Sequence, residues 1–183
     1  AQAFIIGREF VGDHPSTLIL GDNIFHGTGL GTALRSLTDV RGGHIFAHHV
    51  SEPSAYGVVE FDAAGRALSI VEKPKQPRSN WAVIGLYFYD NSVVDVARNL
   101  KPSPRGELEI TDAIQWLIDN GYRVRQEILE GWWIDTGKIT PLLEANRLLL
   151  EVPEKKFYKA CQLCRYMKMI TLQATRDALL AAG

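Results

Sequence analysis

Thr17-Leu18-Ile19-Leu20-Gly21-Asp22-Asn23 is the stretch whose reading decides the fold. Its continuous apolar run, bounded by turn formers, predicts a strand buried on both faces. An Asp directly after such a strand stands at the carboxyl end of a sheet, where ligands bind in open α/β folds. Working outward, further strands are expected over 44–50, 56–61, 68–72, 83–89 and 124–129. Val83-Ile84-Gly85-Leu86-Tyr87-Phe88-Tyr89 is apolar and aromatic throughout, as suits a central strand. Residues 1–10 suit a short helix. A glycine-rich loop after Asn23 leads to a helix near 29–38. Ile110, Ile114, Leu117 and Ile118 recur at helical spacing, with Asn120-Gly121 as the stop. Thr140-Pro141 reads as an N-cap followed by Pro at the first helical position, opening a helix to about Glu151. Strands alternating with helices predict an α/β or mixed-sheet domain. The character changes after Pro153, so the expected division is a domain over 1–152 and a helical tail over 153–183.

Composition narrows the function classes. The 183 residues carry 20 Lys and Arg against 21 Asp and Glu, a formal net charge of −1. No basic excess points to nucleic acid. No apolar run of about 18 residues is present to span a membrane. Two cysteines, Cys161 and Cys164, make no secreted disulfide framework, so a reducing cytoplasm is the expected location. The opening Ala1-Gln2-Ala3 lacks the features of a signal peptide.

Four constellations could carry chemistry. Asp22 either caps a turn or helps hold Mg²⁺, which favours one or two carboxylates plus substrate phosphates. Asp135, in Trp132-Trp133-Ile134-Asp135-Thr136-Gly137, also follows a strand-like run and could share that ion. The alternative is a capping Asp135 beside two core tryptophans. Glu72 and Lys73 could meet sugar hydroxyls and a phosphate. Neighbours on a strand face opposite sides, so both reach one ligand only if the strand ends there, as Pro74 suggests. The bland alternative is a solvated pair. Arg105 could offer a bidentate fork to a phosphate near the start of the 110–118 helix, or be an exposed loop arginine. Gly27-Thr28-Gly29-Leu30-Gly31-Thr32 lacks the third glycine of a dinucleotide fingerprint. Cys161 and Cys164 lack partners for a zinc site. His48 and His49, being adjacent, read as strand residues.

Taken in order, six motifs go beyond these generic readings. They are Leu20-Gly21-Asp22-Asn23-Ile24-Phe25, Tyr56-Gly57-Val58-Val59-Glu60-Phe61, Val71-Glu72-Lys73-Pro74, Gly85-Leu86-Tyr87-Phe88-Tyr89-Asp90, Arg105-Gly106-Glu107-Leu108-Glu109-Ile110-Thr111-Asp112 and Trp133-Ile134-Asp135-Thr136-Gly137. Residues 1 to about 150 closely resemble the bacterial glucose-1-phosphate thymidylyltransferases, sugar nucleotidyltransferases that make dTDP-glucose. The resemblance implies a Rossmann-like three-layer fold with a mixed sheet. It implies Mg²⁺-dependent attack of glucose 1-phosphate on dTTP with loss of pyrophosphate. By motif match Asp22 and Asp135 would hold the metal. Asn23, Gly57, Glu72 and Val83 would line the glucose pocket, Lys73 and Arg105 would meet the sugar phosphate, and Trp133 would pack beside it. The family's opening strand and glycine-rich nucleotide loop have no counterpart here. The chain is therefore expected to be a C-terminal part, a fragment inactive alone. A homo-oligomer is implied for the full-length form. The alternative is a non-catalytic sugar-phosphate-binding or assembly module.

Overall fold

The structure, a computed structural model, describes residues 1–27, 29–37 and 39–151. The expected tail over 153–183 lies outside the described residues, as do Cys161 and Cys164. The chain divides into two compact units. One comprises Ala1–Leu18 and Asp39–Ile128, and the other takes the segment from Ile19 onward and resumes at Leu129.

The first unit is built on a mixed sheet. It contains helices α1 (Gln2–Ile6) and α2 (Arg8–Val11) and strands β1 (Ser16–Ile19), β3 (Gly43–His49), β4 (Gly57–Phe61), β5 (Ala67–Glu72), β6 (Trp81–Tyr89) and β7 (Val124–Ile128). Helices α4 (Ser92–Asn99) and α5 (Ile110–Asp119) complete it. The strand order is β5-β4-β6-β3-β7, with β1 paired to β6. β3 is antiparallel to β6 but parallel to β7, which confirms a mixed sheet. β6 is the centre: Ala82 to Tyr89 are all buried, as its unbroken apolar run requires. Full burial of a Val, Ile, Leu or Phe side chain there is worth about 1.5–3 kcal/mol.

β4 and β5 form a hairpin in which Gly57 faces Glu72. The hairpin therefore ends on two expected site residues. α5 buries Ala113, Ile114 and Leu117 and packs on β5. The Ile70 amide donates to Gln115 Oε1 at 2.8 Å, tying the helix to the hairpin. This fixes the start of α5 beside the end of β5.

The second unit holds a two-stranded ribbon of β2 (Asn23–Gly27) and β8 (Gly131–Asp135), helix α3 (Leu30–Ser36) and helix α6 (Ile139–Glu151). The ribbon is antiparallel, with Asn23 opposite Asp135 and Gly27 opposite Gly131.

Three expectations need correction. The Thr17–Leu20 run is not buried on both faces: only Leu18 is buried. Among the described residues β1 pairs with β6 alone. The stretch after Asn23 is a strand, not a loop, through Gly27. Thr140 does not cap α6 but lies inside it, because the helix starts at Ile139. Pro141 is tolerated there because first-turn N–H groups lack intrahelical partners. His48 and His49 are strand residues on β3, as expected. No helix of the described residues is long and apolar enough to cross a membrane.

Candidate active site

In the first unit the end of β5 changes direction at Lys73. Its φ of 43° is left-handed, and Lys73 is the one described non-glycine residue in that region. The conformation costs roughly 1–2 kcal/mol for an L-residue. It is held by the Lys73 amide, which donates to the Tyr56 carbonyl at 3.0 Å. The turn breaks strand alternation, so Glu72 and Lys73 share one region: Lys73 Nζ stands 3.9 Å from Glu72 Oε1. Strain kept at the end of the hairpin marks that position as a candidate for function. Lys73→Gly is expected to leave the thermal midpoint unchanged or slightly raised. Relief of strain outweighs the added freedom of the unfolded chain, about 0.4–1 kcal/mol. Anion binding should fall, since the ammonium is gone. A lower midpoint in thermal unfolding would refute this account of Lys73.

Glu72 is three-quarters buried, with 23% of its side chain exposed. Burial, and then the charge of Glu109, push its carboxyl above the usual glutamate range, against the opposing pull of Lys73, Thr111 and Arg105. The Thr111 hydroxyl donates to Glu72 Oε2 at 3.2 Å. Gly57 is part of the same packing. A Cβ there would stand 2.7 Å from Thr111 Cγ2 and 3.3 Å from Glu72 Oε2, so a side chain would displace the groups that hold Glu72. Tyr87 reports the same neighbourhood: burial and then the Glu72 charge push its phenol upward. Val83 is buried in β6 opposite Ala47 of β3, and the pairing of Ala82 with Val58 of β4 sets it in the sheet beside Gly57.

Arg105 joins Glu72, with Nη2 at 3.5 Å from Glu72 Oε1. Its fork, however, is already taken. Nε donates to Glu109 Oε1 at 3.1 Å, and Nη2 donates to Glu109 Oε1 and Oε2 at 2.9 and 2.8 Å. Nη2 also lies 3.1 Å from Glu107. The Nε–Nη2 edge thus grips Glu109, and no hydrogen bond from Nη1 is made among the described residues. Glu109 was missed in the sequence. The segment from Arg105 to Glu109 is not helical, so their spacing gave no signal that set Glu109 apart from Glu107. Burial pushes the Glu109 carboxyl up, but hydrogen bonds from Ser103 and Arg105 outweigh this and hold it below the usual range.

In the second unit the ribbon brings four expected residues together. The Trp133 indole donates to Asn23 Oδ1 at 2.6 Å. Asp22 Oδ1 accepts from Asn23 Nδ2 at 2.8 Å. The Thr136 amide and hydroxyl both donate to the Asp22 carbonyl at 2.7 Å. Asp135 Oδ1 accepts from the Gly137 amide at 2.9 Å. A Cβ at Gly137 would stand 3.1 Å from Asp135 Oδ1 and 3.4 Å from Asp22 Oδ2. Two carboxylates thus flank one side-chain-free position. Among the described residues no group of three or more acidic, His or Cys ligands gathers. The donor set of two carboxylates fits Mg²⁺, which completes its shell with water and substrate oxygens. Trp132 stacks on His26, with centroids 5.4 Å apart and planes at 15°, while Trp133 is bound to Asn23. The two tryptophans are ribbon residues rather than deep core.

Both units carry motifs of one family. The chain belongs to the nucleotidyl transferase family, whose model matches residues 1–152. It is 54% identical over 147 residues to a glucose-1-phosphate thymidylyltransferase of Mycolicibacterium smegmatis, covering 80% of this chain and 51% of that protein. It is 48% identical over 164 residues to one from Xanthomonas campestris, covering 88% of this chain and 55% of the relative. A solved Bacillus anthracis structure assigned to glucose-1-phosphate thymidylyltransferase matches with a TM-score of 0.72 and 36% identity, over 84% of this chain and 61% of that one. A UDP-glucose pyrophosphorylase complexed with UDP-glucose matches with a TM-score of 0.68 and 26% identity, over 79% and 59%. These matches bear out the expected fold class. The chain spans about half the length of the curated relatives it matches.

Proposed function

We propose that this chain carries the sugar-phosphate-binding and acidic parts of a glucose-1-phosphate thymidylyltransferase. In that reaction a phosphate oxygen of glucose 1-phosphate forms a bond to the α-phosphorus of dTTP. The bond from that phosphorus to pyrophosphate breaks, giving dTDP-glucose. No protein nucleophile is required, so catalysis is positioning and charge neutralisation. The product would feed deoxysugar and polysaccharide synthesis. A cytoplasmic location, where both substrates are found, and a homo-oligomeric full-length form belong to the same reading.

The observation that carries it is the Glu72–Lys73 turn with Arg105 beside it. Glu72, buried and accepting from Thr111, suits a sugar hydroxyl. Lys73 supplies a point charge for the phosphate. Arg105 supplies a further cation, while Gly57 and Val83 offer backbone groups to the sugar. In the second unit Asp22 and Asp135 would hold Mg²⁺, with Asn23 and Trp133 fixing the ribbon that carries them. The ion, when bound, supplies neutralisation of phosphate charge.

The test is calorimetry of the chain with glucose 1-phosphate, with and without Mg²⁺, beside an Asp22→Ala, Asp135→Ala double variant and a pyrophosphate-release assay with dTTP. Wild type is expected to bind glucose 1-phosphate, and any gain from Mg²⁺ is expected to vanish in the double variant. Absence of binding by a cooperatively folded chain would overturn the reading. A second reading, a sugar-phosphate-binding module without turnover, follows from the gathering of Glu72, Lys73 and Arg105 within the first unit. Binding without pyrophosphate release would select it.

A further inference from the structure

We infer that Glu109 is a positioning residue for phosphate recognition: its buried carboxylate occupies the Nε–Nη2 edge of Arg105 and leaves Nη1 as the donor to the ligand. The inference rests on the reading of the Glu72–Lys73–Arg105 group as a glucose 1-phosphate site, and it states how that site presents its arginine.

The charges make such a role necessary. Lys73 and Arg105 meet three carboxylates, Glu72, Glu107 and Glu109. Taken as bare charges, that group repels an anion. Glu109 differs from the other two in burial and in partners. Only 9% of its side chain is exposed, against 64% for Glu107. The Ser103 hydroxyl donates to Glu109 Oε1 at 2.7 Å, and Arg105 grips both oxygens. The intervening chain is a closed turn. The Ser103 amide donates to the Glu107 carbonyl and the Gly106 amide to the Ser103 carbonyl, both at 2.8 Å. Gly106, at φ 78°, supplies the left-handed residue that the turn needs. Nη1 of Arg105 makes no hydrogen bond among the described residues. A long, rotamer-rich side chain is thereby fixed before a ligand arrives, and the ordering cost is not charged to binding.

Opposite signs separate this role from plain repulsion. If Glu109 is only a nearby negative charge, removing that charge tightens anion binding. If it positions Arg105, removing it weakens binding. The experiment titrates wild type, Glu109→Gln, Ser103→Ala and Glu107→Gln with glucose 1-phosphate by calorimetry at low salt. Glu109→Gln is expected to weaken binding about tenfold. Ser103→Ala, which changes no charge, should weaken it about threefold. Glu107→Gln should tighten it about twofold. In an Arg105→Lys background, which has no fork to hold, Glu109→Gln should no longer weaken binding. Unchanged or tighter binding by Glu109→Gln in the wild-type background would overturn the proposal. If Glu109→Gln does not fold, Ser103→Ala decides by the same criterion.

A ligand-free readout separates failure of the site reading. The Arg105 Nε–H signal in a ¹⁵N NMR spectrum should be resolved from the bulk arginines in wild type and merge with them in Glu109→Gln. Should wild type bind no glucose 1-phosphate yet show this change, the site reading falls and the hold of Glu109 on Arg105 stands. A signal that stays resolved in Glu109→Gln overturns the hold itself.

Discussion

Gly131→Ala is expected to abolish the pairing of β2 with β8 while leaving the first unit's sheet intact. Gly131 has a φ of 138°, a conformation open almost only to glycine. A Cβ there would stand 2.0 Å from the His26 carbonyl oxygen and 2.7 Å from Gly27 Cα. Both are backbone atoms of the partner strand, so no side-chain rotation relieves the clash. Gly27 opposite is equally closed, because its Cβ would meet the Glu130 carbonyl oxygen at 2.2 Å. The expected cost is about 3 kcal/mol or more, the range of strain and overpacking combined. Hydrogen exchange reads this directly. Ribbon amides over 23–27 and 131–135 should lose protection, while those of β3 and β6 keep theirs. Any Mg²⁺-dependent gain in binding should be lost with the ribbon, because Asp22 and Asp135 are held together by it. Unchanged protection at the ribbon would refute the register.

Arg105→Ala is expected to weaken glucose 1-phosphate binding more than tenfold and to reshape the pH dependence of stability. In the wild type Glu109 has a carboxyl held below its ordinary range. A depressed carboxyl contributes stability above the unfolded value and loses it as pH falls through the folded value. Without Arg105, burial remains and pushes the Glu109 carboxyl upward. The stability deficit of the variant should therefore be present at neutral pH and shrink as pH falls below the ordinary glutamate range. Glu72 has the opposite sign. Its raised carboxyl favours folding below the unfolded value, a contribution lost as pH rises through the folded one. Glu72→Gln should remove that component and leave stability at neutral pH equal or higher, while binding is lost. Thermal unfolding against pH for the two variants decides the matter. A deficit of Arg105→Ala that persists unchanged at acid pH would refute the Glu109 account.

Much of the sheet was legible because its strands are locally self-declaring. β6 is a nine-residue apolar and aromatic run. β5 ends where Pro74 and a charged pair say it should, and the structure supplies the left-handed Lys73 that breaks the alternation. α5 follows its helical period to a glycine stop. What escaped depended on partners far away in sequence. Asn23–Gly27 contains Asn, His and Gly, weak strand formers, and becomes a strand by pairing with Gly131–Asp135. The adjacent Val93 and Val94 of α4 give no clean helical signal, since β-branched residues suit strands as well. Its burial on the first unit, including α1 and α5, makes it helical.

At the sites the residue types were readable, but their hydrogen-bond allegiance was not. Asp22, Asn23, Trp133 and Asp135 meet on the ribbon, and Glu72, Lys73 and Arg105 meet at the end of β5. A sequence shows that Arg105 can fork. It does not show that Glu109, buried to 9% of its side-chain exposure, has already accepted that fork. Burial decides which carboxylate wins the arginine, and burial is a property of the folded chain.

The ribbon also sets an order of events during synthesis. Asn23 and Trp133, joined by one hydrogen bond, are 110 positions apart. A ribosome adding about 5–20 residues per second leaves the β2 segment without its partner for roughly ten seconds. Throughout that interval the apolar Ile24 and Phe25 lack the pairing that makes their segment a strand, and unpaired backbone beside apolar side chains is the kind of surface that other nascent chains engage. The acidic pair of Asp22 and Asp135 thus comes together only after β7, the last described strand of the sheet, has been made.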